Sequence, residues 1–242
     1  MKNLYNLPSK VEFCKLCVNS NQRPCSYPEF FHQRQRKNAE YLKINNDGIC
    51  DACKVAELKK KINWKQRKKE LYKLLDKFRK NNGDYDCIVP GSGGKDSVYA
   101  SWVLKYEFGM NPLTVTWPPI LYTEYGYKNY LNWIEIGGFD NISYKQNGRV
   151  MKLLTRLSIK NLLHPFQTFI LGQKNIAPLI AKKFNIPLIF YGENEAEYGN
   201  PINTSLTPTR NSKFFSYKNL KDIYLVGFSY KDLINRFNLS PK

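Results

Sequence analysis

The pattern of apolar positions changes character near residue 85. Residues 1–54 show little periodicity and hold four of the six cysteines. Residues 55–81 place Leu71, Leu74, Leu75 and Phe78 at helical spacing among lysines. That spacing predicts one long amphipathic helix, ended by Asn81-Asn82-Gly83. From Tyr85 onward, short apolar runs alternate with segments of helical period. YDCIVP, NPLTVTW, FDNISYK and IPLIFYG read as strands. DSVYASWVLKYEF, YGYKNYLNWIEIG, VMKLLTRLSIKNLL and most of QKNIAPLIAKKF read as helices, the first two stopped by glycine. Strands alternating with helices of this length specify βαβ units and a parallel, doubly wound sheet. After Gly199 the chain turns polar and proline-bearing, then closes with a short helical stretch, KDLINRF. The expected organisation is a small module over 1–54, a linking helix over 55–84 and an α/β domain over 85–242.

Composition narrows the class. An apolar fraction of 42% with 14% aromatics in 242 residues suits a folded protein with a real core. No apolar run approaches the ~18 residues of a membrane span. The N-terminal MKNLYNLPSKVEFC has no apolar stretch of the secretory kind, so a cytoplasmic protein with no membrane partner is expected. The net charge of +18 admits two readings. One is a basic face for nucleic-acid phosphates; the other is a lysine-rich solvated surface. Basic residues concentrate in 32–43 and 59–80, yet lysine and asparagine are abundant throughout, which favours the solvated surface without excluding nucleic acid.

Two cysteine pairs, Cys14-x-x-Cys17 and Cys50-x-x-Cys53, have the form of a tetrahedral four-cysteine zinc site. Redox dithiols or four unrelated thiols are the alternatives. A redox pair normally adjoins a βαβ pattern, and neither of these does. The stretch between the pairs exceeds the usual ~15–20 residues. Doubling a loop costs only about 0.6 kcal/mol of closure entropy, so this objection is weak. A zinc held by four thiolates is coordinatively closed; its role would be to hold together a module too small to fold on its own core. Cys25 and Cys87 fall outside the pattern, and Cys87 suits a small core position in the first strand.

The residues after that strand, Gly91-Ser92-Gly93-Gly94-Lys95-Asp96-Ser97, carry the strongest chemical signal. A glycine-rich loop between a strand and a helix brings backbone N–H groups to an anion, aided by the helix dipole. A Walker A loop needs G-x-x-x-x-G-K-S/T, but Asp96 follows Gly94-Lys95. A dinucleotide fingerprint needs a third glycine where Asp96 stands. In what remains, the glycines admit a pyrophosphate and Ser92 and Ser97 can donate to its oxygens. Lys95 can neutralise it, and Asp96 can cap the helix or hold Mg2+. An ordinary glycine-rich turn is the bland alternative.

Ser92 to Ser97 resembles the S-G-G-x-D-S signature of the PP-loop ATP pyrophosphatases, whose fold is of the adenine nucleotide alpha hydrolase type. That resemblance implies cleavage of ATP between the α and β phosphates, transfer of AMP to a carbonyl or carboxyl oxygen, and displacement of AMP by a nitrogen or sulfur nucleophile. Further stretches narrow it. CKLCV with RP (14–24), DGICDAC (47–53), LTVTW with LYTEYG (113–126), FDNISY (139–144), LLTRL with NLLHPFQTFILGQKNIAP (153–178) and IFYGENEAEYGNP (189–201) are similar to the N-acetyl sugar amidotransferases of surface-polysaccharide and flagellar glycan pathways. The resemblance implies adenylation of a sugar N-acetyl oxygen and attack by ammonia from a separate glutaminase subunit, converting acetamido to acetamidino. The sugar would be an acidic nonulosonic acid or a nucleotide-linked N-acetyl sugar.

Carried over by position, Ser92, Gly93, Gly94, Lys95, Asp96 and Ser97 would bind pyrophosphate, Thr116 and Trp117 would receive the adenosine, and Gly172 would edge the cleft as a further cofactor-binding residue. Lys95, Asp96, Gln173 and Glu193 would serve catalysis, and Asp96 and Glu195 would bind Mg2+. Acidic residues at the first turn of a following helix are the competing reading of Glu193 and Glu195. His164 reads equally as a packed histidine or a site residue, and His32 as solvated. Members of that family generally run longer than this chain, which makes loss of a C-terminal region one expectation. Two other functions stand beside the amidotransferase: a tRNA-modifying PP-loop enzyme, of the thiolation or lysidine type, and a non-catalytic nucleotide-binding scaffold for a glutaminase.

Overall fold

The computed structural model describes residues 7–25, 29, 40–193, 206–207, 209, 215 and 219–239. Its centre is a sheet of four strands, β1 (Cys87–Pro90), β2 (Pro112–Thr116), β3 (Asn141–Ser143) and β4 (Leu188–Ile189), ordered β3-β2-β1-β4. Every pairing is parallel, with Ile88 of β1 beside Leu113 of β2 and Ile189 of β4. β2 is buried along its whole length and β1 up to Val89, as expected of parallel strands covered on both faces.

Alternation along β1 sends its side chains into two cores. Ile88, with Leu113 and Val115, packs on Ile176, Ala177 and Ile180 of α6 (Gln167–Phe184). Cys87 and Val89 face the other way, onto Leu75 of α2 (Trp64–Asp76) and Leu104, Phe108 and Met110. These last follow α3 (Lys95–Trp102), which continues as a π-helical stretch over Val103–Glu107. α4 (Glu124–Glu135) lies beside α3, where buried Trp133 donates from Nε1 to Ser101 Oγ at 2.8 Å. The α/β architecture with helices on both faces is thus present, as the alternating pattern predicts.

Two local readings need correction. The single helix expected over 55–81 is two, α1 (Asp51–Lys60) and α2. Asn63 ends the first by starting the second: its side chain accepts from the Gln66 N–H at 3.0 Å, and such a cap competes well with continued helix. The C-terminal stretch is more than a helical tail. β5 (Tyr224–Leu225) and β6 (Phe228–Ser229) form an antiparallel hairpin before α7 (Tyr230–Phe237). The hairpin tip, Val226-Gly227, has φ values of 52° and 86°. Left-handed backbone is unfavourable for a β-branched residue. Val226 is held there by complete burial against Leu154 and Leu157 of α5 (Gly148–Leu162). Its N–H donates to Gln167 Oε1 at 2.7 Å and its carbonyl accepts from Asn161 Nδ2 at 2.8 Å.

Candidate functional site: a cleft at the β1–β4 switch point and a four-cysteine cluster

In the order β3-β2-β1-β4 the sequence of strand addition reverses between β1 and β4, and ligands of such sheets sit beyond the carboxyl ends of the strands at that point. A cleft of about 260 Å³ lies there. The glycine loop contributes Gly91, Ser92, Gly94, Asp96 and Ser97; Trp117 follows β2; Gln173 and Lys174 come from α6; and Tyr191, Gly192 and Glu193 follow β4.

The loop is shaped by backbone contacts that side chains would prevent. Gly93 has φ +83°, and a Cβ there would lie 2.6 Å from the Tyr130 Cα. Gly192 brings β4's exit onto α3: its Cβ would stand 2.8 Å from the Asp96 carbonyl. Gly94 is the N-cap residue of α3 and no side chain caps that end, so the first-turn N–H groups remain available to an anion. Asp96, expected as cap or Mg2+ ligand, does not cap. It lines the cleft and accepts from Lys95 Nζ at 2.6 Å in an exposed pair. Lys95 and Gly93 are outside the cleft lining. The Ser97 hydroxyl donates to the Gly94 carbonyl at 3.0 Å, bracing the turn.

Two expected cofactor contacts are placed differently. Thr116 is fully buried; its Oγ1 accepts from Asn141 Nδ2 at 3.0 Å within the sheet, and it is not among the cleft-lining residues. Gly172 does not line this cleft either. The Trp117 indole packs against it, and a Cβ would overlap the ring. Trp117 itself does line the cleft and stacks on Tyr144, with centroids 5.5 Å apart and planes 5° from parallel. Gln173 and Glu193 are at the cleft as expected; Glu195 and Asn194 fall outside the described residues.

Tyr191 is a cleft residue that the strand-like IPLIFYG pattern disguised as core. Its hydroxyl and the Trp117 Nε1 are both buried without a hydrogen-bond partner among the described residues. Burial, and next the nearby Glu193 carboxylate, push the Tyr191 phenol up to about 12. It therefore stays a neutral donor at ordinary pH. Buried polar atoms in folded proteins are nearly always paired, so two orphans in one cleft point to a ligand.

The four cysteines converge. Cys14, Cys17, Cys50 and Cys53 place their sulfurs within 4.8 Å of one another. The Cys14–Cys53 and Cys17–Cys50 separations are 3.9 and 3.6 Å. Tetrahedral zinc with Zn–S near 2.3 Å needs sulfurs about 3.8 Å apart, so the cluster can hold a structural zinc. Burial raises the Cys14 thiol, but N–H donors of Cys50, Leu16 and Cys17 outweigh it and bring it down to about 6. Burial drives the Cys50 and Cys53 thiols up instead, an arrangement that a metal cation would reverse. The long spacer does not disturb the geometry. Pro24 pairs with Tyr41, and the Cys25 N–H bonds the Glu40 carbonyl at 2.9 Å, so the chain is tied together on the two sides of residues 26–39. Glu29, within that stretch, lies 3.0 Å from His164 Nε2, and this hydrogen-bond contact holds His164 away from the cleft lining.

No protein-family profile matches the sequence. Over 102 residues the chain is 40% identical to a protein of Methanocaldococcus jannaschii described as uncharacterized. The match covers 42% of this chain and 31% of that protein's length. Among the described residues no helix is long and apolar enough to cross a membrane.

Proposed function

We propose that the chain is a PP-loop ATP pyrophosphatase acting as an amidotransferase. The observation that carries this reading is the Ser92–Ser97 loop opening an uncapped helix at the sheet's switch point, with Gly192 backed directly onto it. Such a loop suits the pyrophosphate half of ATP better than a single phosphate, because several N–H groups, and Lys174 across the cleft, can share the charge. Asp96 and Glu193 both line the cleft, and their hard oxygens suit Mg2+, which would offset the phosphate charge. The acceptor's carbonyl oxygen attacks the α-phosphorus, pyrophosphate departs toward the loop, and an O-adenylated imidate remains. Ammonia then adds to the activated carbon and AMP leaves with the oxygen. Gln173 and Lys174 face the loop across the cleft and would orient the reacting groups.

The N-acetyl sugar as acceptor, and a glutaminase subunit as ammonia source, follow from the sequence resemblance. A thiolating tRNA enzyme fits less well. Cys87 is fully buried at the start of β1, and burial pushes its thiol up to about 12, which leaves it unreactive. The test is to incubate the protein with Mg-ATP and ammonium, supplying N-acetylated acidic and nucleotide-linked sugars or bulk tRNA in parallel. AMP and pyrophosphate formed only with a sugar, with oxygen replaced by NH in its mass, are expected. AMP formed only with tRNA, or ATP bound and never cleaved, contradicts the proposal.

A further inference from the structure

A second cavity, of about 490 Å³, shares Trp117 and Ile176 with the nucleotide cleft. Its walls include the stacked Trp117–Tyr144 pair, Met151 and Leu154 from α5, and Leu171 and Leu179 from α6. Among the described residues that line it, none carries a charged side chain, although the whole chain has a net charge of +18. Asn175, Tyr144, Thr168 and Trp117 bring polar groups to this otherwise apolar lining, and two of their polar atoms are buried without a partner among the described residues. Thr168 is 6% exposed and its Oγ1 has no hydrogen-bond partner among the described residues. The Trp117 Nε1, at the junction with the cleft, is equally unpaired. Gly172 lets the indole lie against α6, so the flat wall is built into the helix sequence.

We propose that this cavity is a binding subsite for an uncharged group with a flat or apolar body and one hydrogen-bond acceptor. The indole N–H donates to that acceptor, and the Thr168 hydroxyl pairs with a second polar atom. A carboxylate or phosphate is disfavoured, because no cationic side chain lines the cavity to pair with its charge. An acidic substrate therefore enters by its neutral portion and leaves its charge outside. Taking the occupant to be the second substrate, beside the nucleotide, rests on the ATP reading of the cleft; the subsite itself does not.

The test uses three probes of one shape and different charge: benzamide, benzoate and benzamidine. Each is titrated into the full chain by ligand-observed NMR, with ATP titrated separately. Benzamide is expected to bind about tenfold or more tighter than either ion. Leu171→Trp, which fills the cavity, should abolish benzamide binding and leave ATP affinity unchanged. Thr168→Val keeps the shape, removes only the hydroxyl and should weaken benzamide several-fold; it carries the test if Leu171→Trp fails to fold. Equal binding of the three probes, no benzamide binding, or benzamide binding indifferent to both variants overturns the proposal. Loss of ATP binding with benzamide selectivity intact would instead sink the nucleotide reading alone.

Discussion

The cysteine module and the sheet domain solve the same problem by different physics. In the sheet domain, two clusters on opposite faces bury residues such as Ile88, Val115, Leu75 and Val89, and apolar burial of that kind can hold a fold by itself. In the module's cluster the buried residues are Cys14, Leu42 and Cys50, and two of those three are thiols of the four-cysteine cluster that could hold a metal. Below a certain size a chain cannot bury enough surface, and a metal replaces the missing core. The difference also separates tasks: the closed cluster of four thiols leaves no coordination position for chemistry, whereas the sheet's cleft is open and lined by polar loops.

The largest expected effect breaks the module alone. Cys50→Ser, or chelation, should remove zinc and unfold the module, since structural zinc supplies on the order of 10 kcal/mol in comparable domains. Zinc content by elemental analysis, read beside hydrogen exchange, checks this: protection should vanish in the module and persist at Ile88 and Leu113. The complementary break is Leu75→Ala, at a fully buried position under the sheet. It should cost about 2–5 kcal/mol in thermal or denaturant unfolding while zinc content stays unchanged.

A smaller effect targets the cleft. Gly192→Ala puts a methyl against the Asp96 carbonyl, and overpacking of this kind costs about 1–3 kcal/mol. ATP affinity by calorimetry should fall about tenfold or more, the equivalent of 1.4 kcal/mol, with zinc binding intact. Smaller still, Tyr85→Phe removes only the hydroxyl that donates to Asp140 Oδ2 at 2.8 Å and keeps the ring. About 1 kcal/mol of stability or less should be lost by denaturant titration, with nucleotide affinity unaltered.

These contrasts mirror what could be read before the fold was known. β1, the loop and α3 were legible because a strand period, a glycine run and a helix period follow one another without interruption. The four cysteines were legible because ligand spacing survives any insertion whose two ends are tied together. What escaped depended on a single competing contact. The α1–α2 break turns on the Asn63 cap. The β5–β6 hairpin was hidden because valine is an unfavourable residue for a left-handed turn, and burial against α5 with hydrogen bonds to Gln167 and Asn161 compensates it. Within the cleft, Thr116 and Trp117 are adjacent in sequence, and strand alternation turns the first into the sheet and the second to the cleft. Gly172 looked like a ligand contact and is a seat for the Trp117 ring. Tyr191 carried no signal at all, since an aromatic in an apolar strand reads as core until its hydroxyl is seen without a partner.

The central claim is that the cleft between the ends of β1 and β4 holds ATP with its pyrophosphate on the glycine loop. A crystal structure with Mg2+ and α,β-methylene ATP, which cannot be cleaved between the α and β phosphates, tests it most directly. The account predicts the β and γ phosphates against the backbone N–H groups of residues 92–97, with the Tyr191 hydroxyl donating to the nucleotide. A nucleotide bound elsewhere on the protein, or phosphates turned away from the loop, would contradict it.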